Sequence, residues 1–390
     1  MLQEFRVDNY KSLINVTFKP HDLNLLIGLN NSGKTNLCQA LRFVANSALL
    51  SIDGCADLIA GSRIGITNSF FDKHTVNFHI RAAVPYEEEN LIFEYDLTIS
   101  SPITAALNAT LQVESEQLVV TGKDFDDIML LENARGKVRL LHETDYLKGH
   151  NNYVETTAPR DTTMLNRLYD LETNARANCF KRYLSFWQYY DLSPSALRIP
   201  SHKPNATILN PDGSNLASVV YHLKTSNERR YRELLRSIRE FEPSIDLINF
   251  QVASENNVFM SFENAAGHSL PISNISHGTL RFLGLAYVLL VQPSPIPHSL
   301  LVVEEPENGI YVGFLRNLIK MAAQASGSPQ LIFTSHSPYF IDLFDDRLDS
   351  IFVLKQGEQH SSISQPDVEK VKARLEHYPL GEQHYREMLR

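Results

Sequence analysis

The chain has 390 residues, 43% of them hydrophobic, and a formal net charge of −9 at pH 7. That length allows one large domain or two to three lobes with a substantial core. The acidic balance argues against a general DNA-coating protein, though not against a local basic patch. Cys38, Cys55 and Cys179 form no CxxC pair, which argues against a disulfide framework or a zinc site and fits a reducing cytoplasm.

In chain order, the opening MLQEFRVDNYKSL has no apolar centre, so no signal peptide is expected. EFRVDNY alternates as a strand does, VTFKP follows, and LNLLI reads as a short buried strand. It ends at the turn GLNNSGKTNL, residues 28–37. Beyond the turn, Leu37, Ala40, Leu41, Val44 and Ala45 recur on one face, predicting a helix over 35–46. Gly28, Gly33, Lys34 and Thr35 match G-x-x-x-x-G-K-[ST], placed between a strand and a helix as that motif requires. Glycines there let backbone N–H groups converge on phosphate oxygens. Lys34 is expected to reach the β- and γ-phosphates and Thr35 to ligate Mg²⁺; Asn30, Asn31, Ser32 and Asn36 complete the candidate nucleotide-binding stretch.

Residues 75–145 read as strands separated by polar or proline-bearing turns, an antiparallel patch. Residues 162–192 read as helical, 197–216 as a loop rich in Pro, Asn and Ser, and 215–240 as a helix. That helix carries Arg229, Arg230, Arg232, Arg236 and Arg239, either a DNA-facing surface or a solvated face with interleaved Glu. There is no internal repeat and no heptad run long enough for a coiled coil. The longest apolar stretch, FLGLAYVLLV at 282–291, is half the ~20 residues a membrane span needs and reads as a core helix.

From 274 onward a helix beginning near Thr279 and the apolar strands SLLVV, QLIF and SIFVLK predict a mainly parallel, covered sheet. In NISHGTLRF, Ser276 and Gly278 precede the helix. Ser276 or Thr279 is its N-cap, or the helix end faces a phosphate held by another subunit. VVEEPENG ends a strand in paired carboxylates. Beside a phosphate loop, Glu304 is a candidate Mg²⁺ ligand, directly or through water, and Glu305 a candidate for polarising the attacking water; alone, the pair reads as a solvated strand end. LIFTSHSPYF places His336 at another strand tip, where an imidazole can hydrogen-bond a γ-phosphate or the attacking water.

In order and spacing these motifs resemble an ABC-type ATPase head of the SMC/RecF/OLD-like class. GLNNSGKT resembles its Walker A, SHGTLRF its signature, VVEEPENG its Walker B and D-loop, and TSHSP its switch histidine; FRVDNYKSL, NPDGSNLASVVYHL and YPLGE are similar to further stretches of compact RecF-like ATPases. The resemblance implies an α/β P-loop head with a mainly parallel core sheet, an antiparallel β patch and a helical insertion in the middle. It divides the chain into 1–85, an arm over 86–200 and 201–390. It implies two ATP molecules sandwiched between two heads in a homodimer or higher oligomer, with Thr35 and Glu304 on Mg²⁺, Glu305 as general base, Ser276 and Gly278 acting across the dimer, Asn308 in the dimer contact and His336 sensing the γ-phosphate. Lys11 and Ser12 are expected near the nucleotide edge. One departure stands out: no Q-loop glutamine follows the first helix.

The resemblance implies a cytoplasmic ATPase, with no membrane partner, that controls a separate nuclease or toxin in bacterial anti-phage defence. A RecF-like DNA clamp and a slow ATP-gated scaffold are the alternatives. The residues after His336 are too few for a Toprim nuclease domain, and the acids of IDLFDDRLD read as a solvated helix end, so no nuclease is expected in this chain.

Overall fold

The structure, a computed structural model, describes every residue except 61–62, 64, 102–109, 147–151, 171, 203, 254–256, 293–295, 325–328 and 387–390. Strands β1 (Leu2–Asp8), β2 (Val16–Phe18) and β3 (Leu23–Ile27) lead into helices α1 (Lys34–Ser47) and α2 (Ile52–Ala60). The β-rich stretch contributes β4 (Thr75–Tyr86), β5 (Glu89–Ser100), β6 (Gln112–Thr121), β7 (Ile128–Ala134), β8 (Lys137–Leu141) and β9 (Tyr153–Thr157), with the short α3 (Glu143–Tyr146) before β9. Helices α4 (Met164–Arg167) and α5 (Ala175–Ser185), then strand β10 (Gln188–Tyr190), occupy the stretch expected to be helical. Next come α6 (Leu216–Ser226), α7 (Glu228–Phe241) and the strands β11 (Leu247–Val252), β12 (Val258–Glu263) and β13 (Ser269–Pro271). The last part holds α8 (His277–Ala286), β14 (Leu300–Glu304), α9 (Val312–Gln324), β15 (Gln330–Ser335), α10 (Pro338–Ile341), β16 (Ile351–Gln356), β17 (Ser361–Ser364), α11 (Val368–Leu375) and α12 (Leu380–Tyr385).

The described residues form three sheets. The central one has the order β10-β14-β15-β3-β16-β17, parallel throughout except for β17. Its four inner strands, β14, β15, β3 and β16, are largely apolar because both faces are covered. Leu26, Leu300, Val302, Ile332, Phe352 and Leu354 enter the core shared with α1 and the antiparallel sheet. Their neighbours Leu25, Leu301, Val303, Phe333 and Val353 enter a second core under α6, α7, α8 and α9. The period-2 geometry of a strand thus divides one apolar run between two cores.

The second sheet runs β2-β1-β4-β5-β6-β7-β8-β9, antiparallel. Its buried face is built by alternation, with Val76, Phe78, Ile80, Ala82 and Val84 of β4 inward. β4 pairs with β1 from Leu2 to Asp8 and with β5 along its whole length. The β-rich stretch therefore continues the N-terminal strands in one sheet, and the expected boundary at 85 falls within the β4–β5 hairpin. α5 closes this sheet, Phe180 stacking on Phe93 with ring centroids 5.2 Å apart.

Several local expectations change. The helix expected over 215–240 is two helices. Asn227 adopts a non-helical conformation between them (φ −148°, ψ 80°), and its side chain accepts from Arg230 N, an N-cap that ends one helix and starts the next. The helical reading of 162–192 gives way at Gln188, where β10 pairs in parallel with β14. The three-stranded antiparallel sheet β11-β12-β13 and helix α2 have no counterpart in the sequence reading. All three cysteines are free. Among the described residues no helix is long and apolar enough to cross a membrane.

Candidate functional site

The tips of β3, β14 and β15, adjacent strands of the parallel sheet, bring the candidate residues together. β3 ends in a loop that crosses tightly over β16. A Cβ at Gly28 would lie 2.4 Å from the Leu354 carbonyl oxygen and 2.5 Å from Ser32 Oγ. Asn31 (φ 65°) and Gly33 (φ 100°) take left-handed conformations, and a Cβ at Gly33 would lie 2.6 Å from Ser361 Oγ. Glycine supplies the curvature and the close approach that a side chain would block. Asn30 and Asn31 are exposed, while Ser32 Oγ is buried without a hydrogen-bond partner among the described residues.

Lys34, almost fully buried, donates from Nζ to the carbonyls of Gly28 (2.7 Å) and Leu29 (3.1 Å), which holds its ammonium inside the curve of the loop. Burial lowers its pKa, opposed by the nearby carboxylates Glu305, Glu304 and Glu307. Thr35 Oγ1 donates to Glu304 Oε2 at 2.9 Å, joining residues 269 positions apart in the chain. Asn36 points the other way, donating to Ser12 Oγ (2.8 Å), to which Ser361 Oγ also donates. Lys11 Nζ donates to Gln39 Oε1 at 2.5 Å. Lys11 and Ser12 thus flank the start of α1.

Glu304 is buried, and desolvation raises its pKa, opposed by hydrogen bonds from Tyr189 and Thr35. Glu305, one position on, turns out of the strand with φ 43°. A left-handed conformation costs a residue with a Cβ about 1–2 kcal/mol. The Glu305 amide donates to the Thr334 carbonyl (3.1 Å), and its carboxylate meets His336 Nδ1 at 2.9 Å and accepts from Asn308 Nδ2 at 2.7 Å. Strain at this tip therefore has local hydrogen bonds to hold it. Glu307 is buried against Ser335, which donates to its Oε1; its Oε2 has no partner among the described residues, and desolvation raises its pKa.

Ser276 is the N-cap of α8, accepting from Thr279 N at 3.0 Å, yet it remains exposed, as does His277. Gly278 lies against the turn after β14, where a Cβ would be 2.1 Å from the Gly309 carbonyl oxygen. Arg281, one turn further along α8, donates to the carbonyls of Leu192 (2.6 Å) and Glu305 (3.0 Å). Backbone faces backbone at Gly278, so no rotamer change relieves the overlap. Gly278→Ala is expected to destabilise the fold by about 1–3 kcal/mol, as overpacking does. A thermal melt unchanged from wild type would mean that α8 and this turn separate easily.

Of the expected residues, the structure gathers Gly28–Asn36, Glu304, Glu305, Asn308 and His336 at one end of the sheet. Ser276 and Gly278 sit beyond Gly309, at an exposed helix end. Tyr189, Glu307 and Arg281 belong to the arrangement and were given no role from sequence. Arg281 and Glu307 lie inside quoted motifs; Tyr189 had no signal. On α7, Arg229 and Arg232 pair with Glu233 and Glu228, Arg239 with Asp246, and Arg230 donates to the Val291 carbonyl. In IDLFDDRLD, Asp342 accepts from Gly381 N, and no group of three His, Cys, Asp or Glu able to hold a metal occurs among the described residues.

A loop whose glycines leave room only for backbone, with Lys34 inside it, suits a polyphosphate. The hydroxyl of Thr35 and the carboxylate of Glu304 are hard oxygen donors of the kind Mg²⁺ takes alongside phosphates. A cleft of about 740 Å³ runs from Gly28, Leu29, Asn30 and Ser32 past His336 to Lys355, Gln356 and Tyr385.

Residues 151–342 match the family described as "AAA domain, putative AbiEii toxin, Type IV TA system". A curated protein of Helicobacter pylori (strain ATCC 700392 / 26695), named "ATP/GTP phosphatase", is 19% identical over 397 residues, covering 92% of this chain and 94% of that protein. Among solved structures, an Smc head bound to the C-winged helix domain of ScpA superposes with a TM-score of 0.55 at 12% identity, covering 95% of this chain and 99% of that one. In fold the chain is similar to an Smc head, and the order of its motifs resembles that of P-loop ATPase heads. An Smc head with an extended coiled coil, bound to the C-terminal domain of ScpA from Pyrococcus furiosus, is also similar, at TM-score 0.47 and 14% identity over 96% of this chain and 98% of that one.

Proposed function

We propose that this head binds ATP with Mg²⁺, closes as a dimer around it, hydrolyses it, and through that cycle controls a separate effector, a nuclease or toxin, in bacterial anti-phage defence. The observation that carries the hydrolytic part is the meeting of Thr35 with Glu304, and of Glu305 with His336 and Asn308, at adjacent strand tips. Gly28–Thr35 hold the phosphates, while the side chain of Asn36, expected to join them, instead anchors the start of α1 on Ser12. Thr35 and Glu304 would hold Mg²⁺, which would supply charge to neutralise phosphate oxygens. Glu305 takes the proton of the attacking water as its oxygen approaches phosphorus. His336, hydrogen-bonded to Glu305, orients that carboxylate and reads the γ-phosphate. Ser276 and the end of α8 serve the partner's nucleotide, a reading supported by their exposure.

Ser276→Arg is expected to spare ATP binding and stop turnover. Mixed with Lys34→Ala chains, it regains part of the activity, because a mixed dimer carries one intact composite site. Retained turnover in the pure variant removes the composite-site model. Effector control, the cytoplasmic location and the defence role rest on the resemblance; the family description of residues 151–342 names a toxin and a type IV toxin–antitoxin system. For the alternative DNA clamp, the arginines of α7 are the candidate face, with Arg229, Arg232 and Arg239 interleaved with the acids Glu233, Glu228 and Asp246. Steady-state hydrolysis with and without linear duplex DNA, with Lys34→Ala as the blank, separates the two. Indifference to DNA keeps the effector reading, and strong salt-sensitive stimulation replaces it with the clamp.

A further inference from the structure

β10 is three residues long, yet it forms the edge of the central sheet, in parallel register with the acid-bearing strand: Tyr189 opposite Val302 and Tyr190 opposite Val303. Tyr189, the middle residue of β10, lies two positions short of Glu304 in that register, within reach of it through its side chain. Its hydroxyl donates to Glu304 Oε1, while Thr35 donates to Oε2. The guanidinium of Arg42, on α1, lies 4.9 Å from the centre of the Tyr189 ring. The two hydroxyls come from opposite sides of the site, one from the phosphate loop and one from the middle of the chain. Together they engage both oxygens of a buried carboxylate and fix its rotation about the terminal bond. A carboxylate that ligates a cation depends on such outer partners for its orientation.

We propose that Tyr189 is the positioning residue for Glu304, holding its carboxylate in the orientation in which Mg²⁺ accompanies the nucleotide. The proposal rests on Glu304 being the cation-holding acid. It also gives the middle of the chain a direct link to the site: β10 follows α5, which packs on the antiparallel sheet, so a shift of that layer reaches Glu304 through one hydrogen bond. Tyr189 touches neither nucleotide nor reacting atoms in this role; it acts through Glu304 alone.

The test is the Mg²⁺ dependence of nucleotide affinity, measured by calorimetry with a slowly hydrolysed ATP analogue in wild type, Tyr189→Phe and Glu304→Gln. Tyr189→Phe removes only the hydroxyl and keeps the ring beneath Arg42. Its affinity in EDTA and its melting temperature are expected to stay at wild-type values. The Mg²⁺ concentration that gives half of the metal-dependent tightening is expected to rise about tenfold or more, the usual cost of losing an outer-shell partner. A purely structural role would lower the melting temperature and leave the Mg²⁺ dependence in place. Tyr189→Leu also lacks the hydroxyl and must show the same loss; the decision rests on whichever variant melts like wild type. Unchanged Mg²⁺ dependence in that variant, with Glu304→Gln impaired, overturns the proposal and leaves the reading of Glu304 standing. Unchanged dependence in Glu304→Gln itself removes that reading, and the proposal falls with it.

Discussion

Glu305→Gln is expected to bind ATP normally, to hydrolyse it at least about a hundredfold more slowly, the lower range for loss of a general base, and to accumulate as an ATP-bound dimer. The side chain sits at the tip of β14, aimed by a left-handed backbone, with one oxygen on His336 and the other on Asn308. Glutamine has the same shape and retains a carbonyl oxygen for Asn308, so the tip keeps its conformation. It cannot take a proton from water at neutral pH. Single-turnover hydrolysis and light scattering in ATP measure both parts. If turnover equals wild type, another group is the base. Glu307 is then the first to test, because it is buried nearby with one oxygen unpartnered among the described residues.

The second large effect is expected from Lys34→Ala, which should lose ATP affinity by about a hundredfold, as follows from removing charge-assisted contacts of roughly 1.5–3 kcal/mol each. In the structure the ammonium lies within the loop on the Gly28 and Leu29 carbonyls and near three carboxylates. Removing it takes away the cation a polyphosphate would meet and leaves Glu304, Glu305 and Glu307 less compensated. The fold itself is expected to survive, because the loop is shaped by glycine conformations and by its crossing over β16 rather than by the lysine. Calorimetry with ATP, paired with a thermal melt, distinguishes lost binding from lost folding. Wild-type affinity in a well-folded variant would show that the loop holds no nucleotide.

The parallel sheet was legible in the sequence for a specific reason. Its inner strands are buried on both faces, so LNLLI, LLVV and QLIF stand out as mostly apolar runs, the first ending at the glycine turn and the other two in polar residues. The glycine loop was legible because its conformational demands are local. The N-cap at Ser276 was legible as one of two readings, since a serine before an apolar helix is a short-range signal. The split at Asn227 is a short-range signal of the same kind, hidden by apolar positions that continue through both helices.

What the sequence by itself determined is the order of the motifs, the strand-loop-helix around Lys34 and the acids and histidine that end the strands, because each depends on neighbours a few positions away. Only the tertiary structure decided that the β-rich stretch shares one sheet with β1, that Gly278 closes on Gly309, that Arg281 reaches the backbone of Glu305, and that β10 belongs to the central sheet. The contact of Tyr189 with Glu304 spans 115 positions. Three residues containing two tyrosines carry no periodicity that separates strand from helix, so β10 exists only where β14 is there to pair with it.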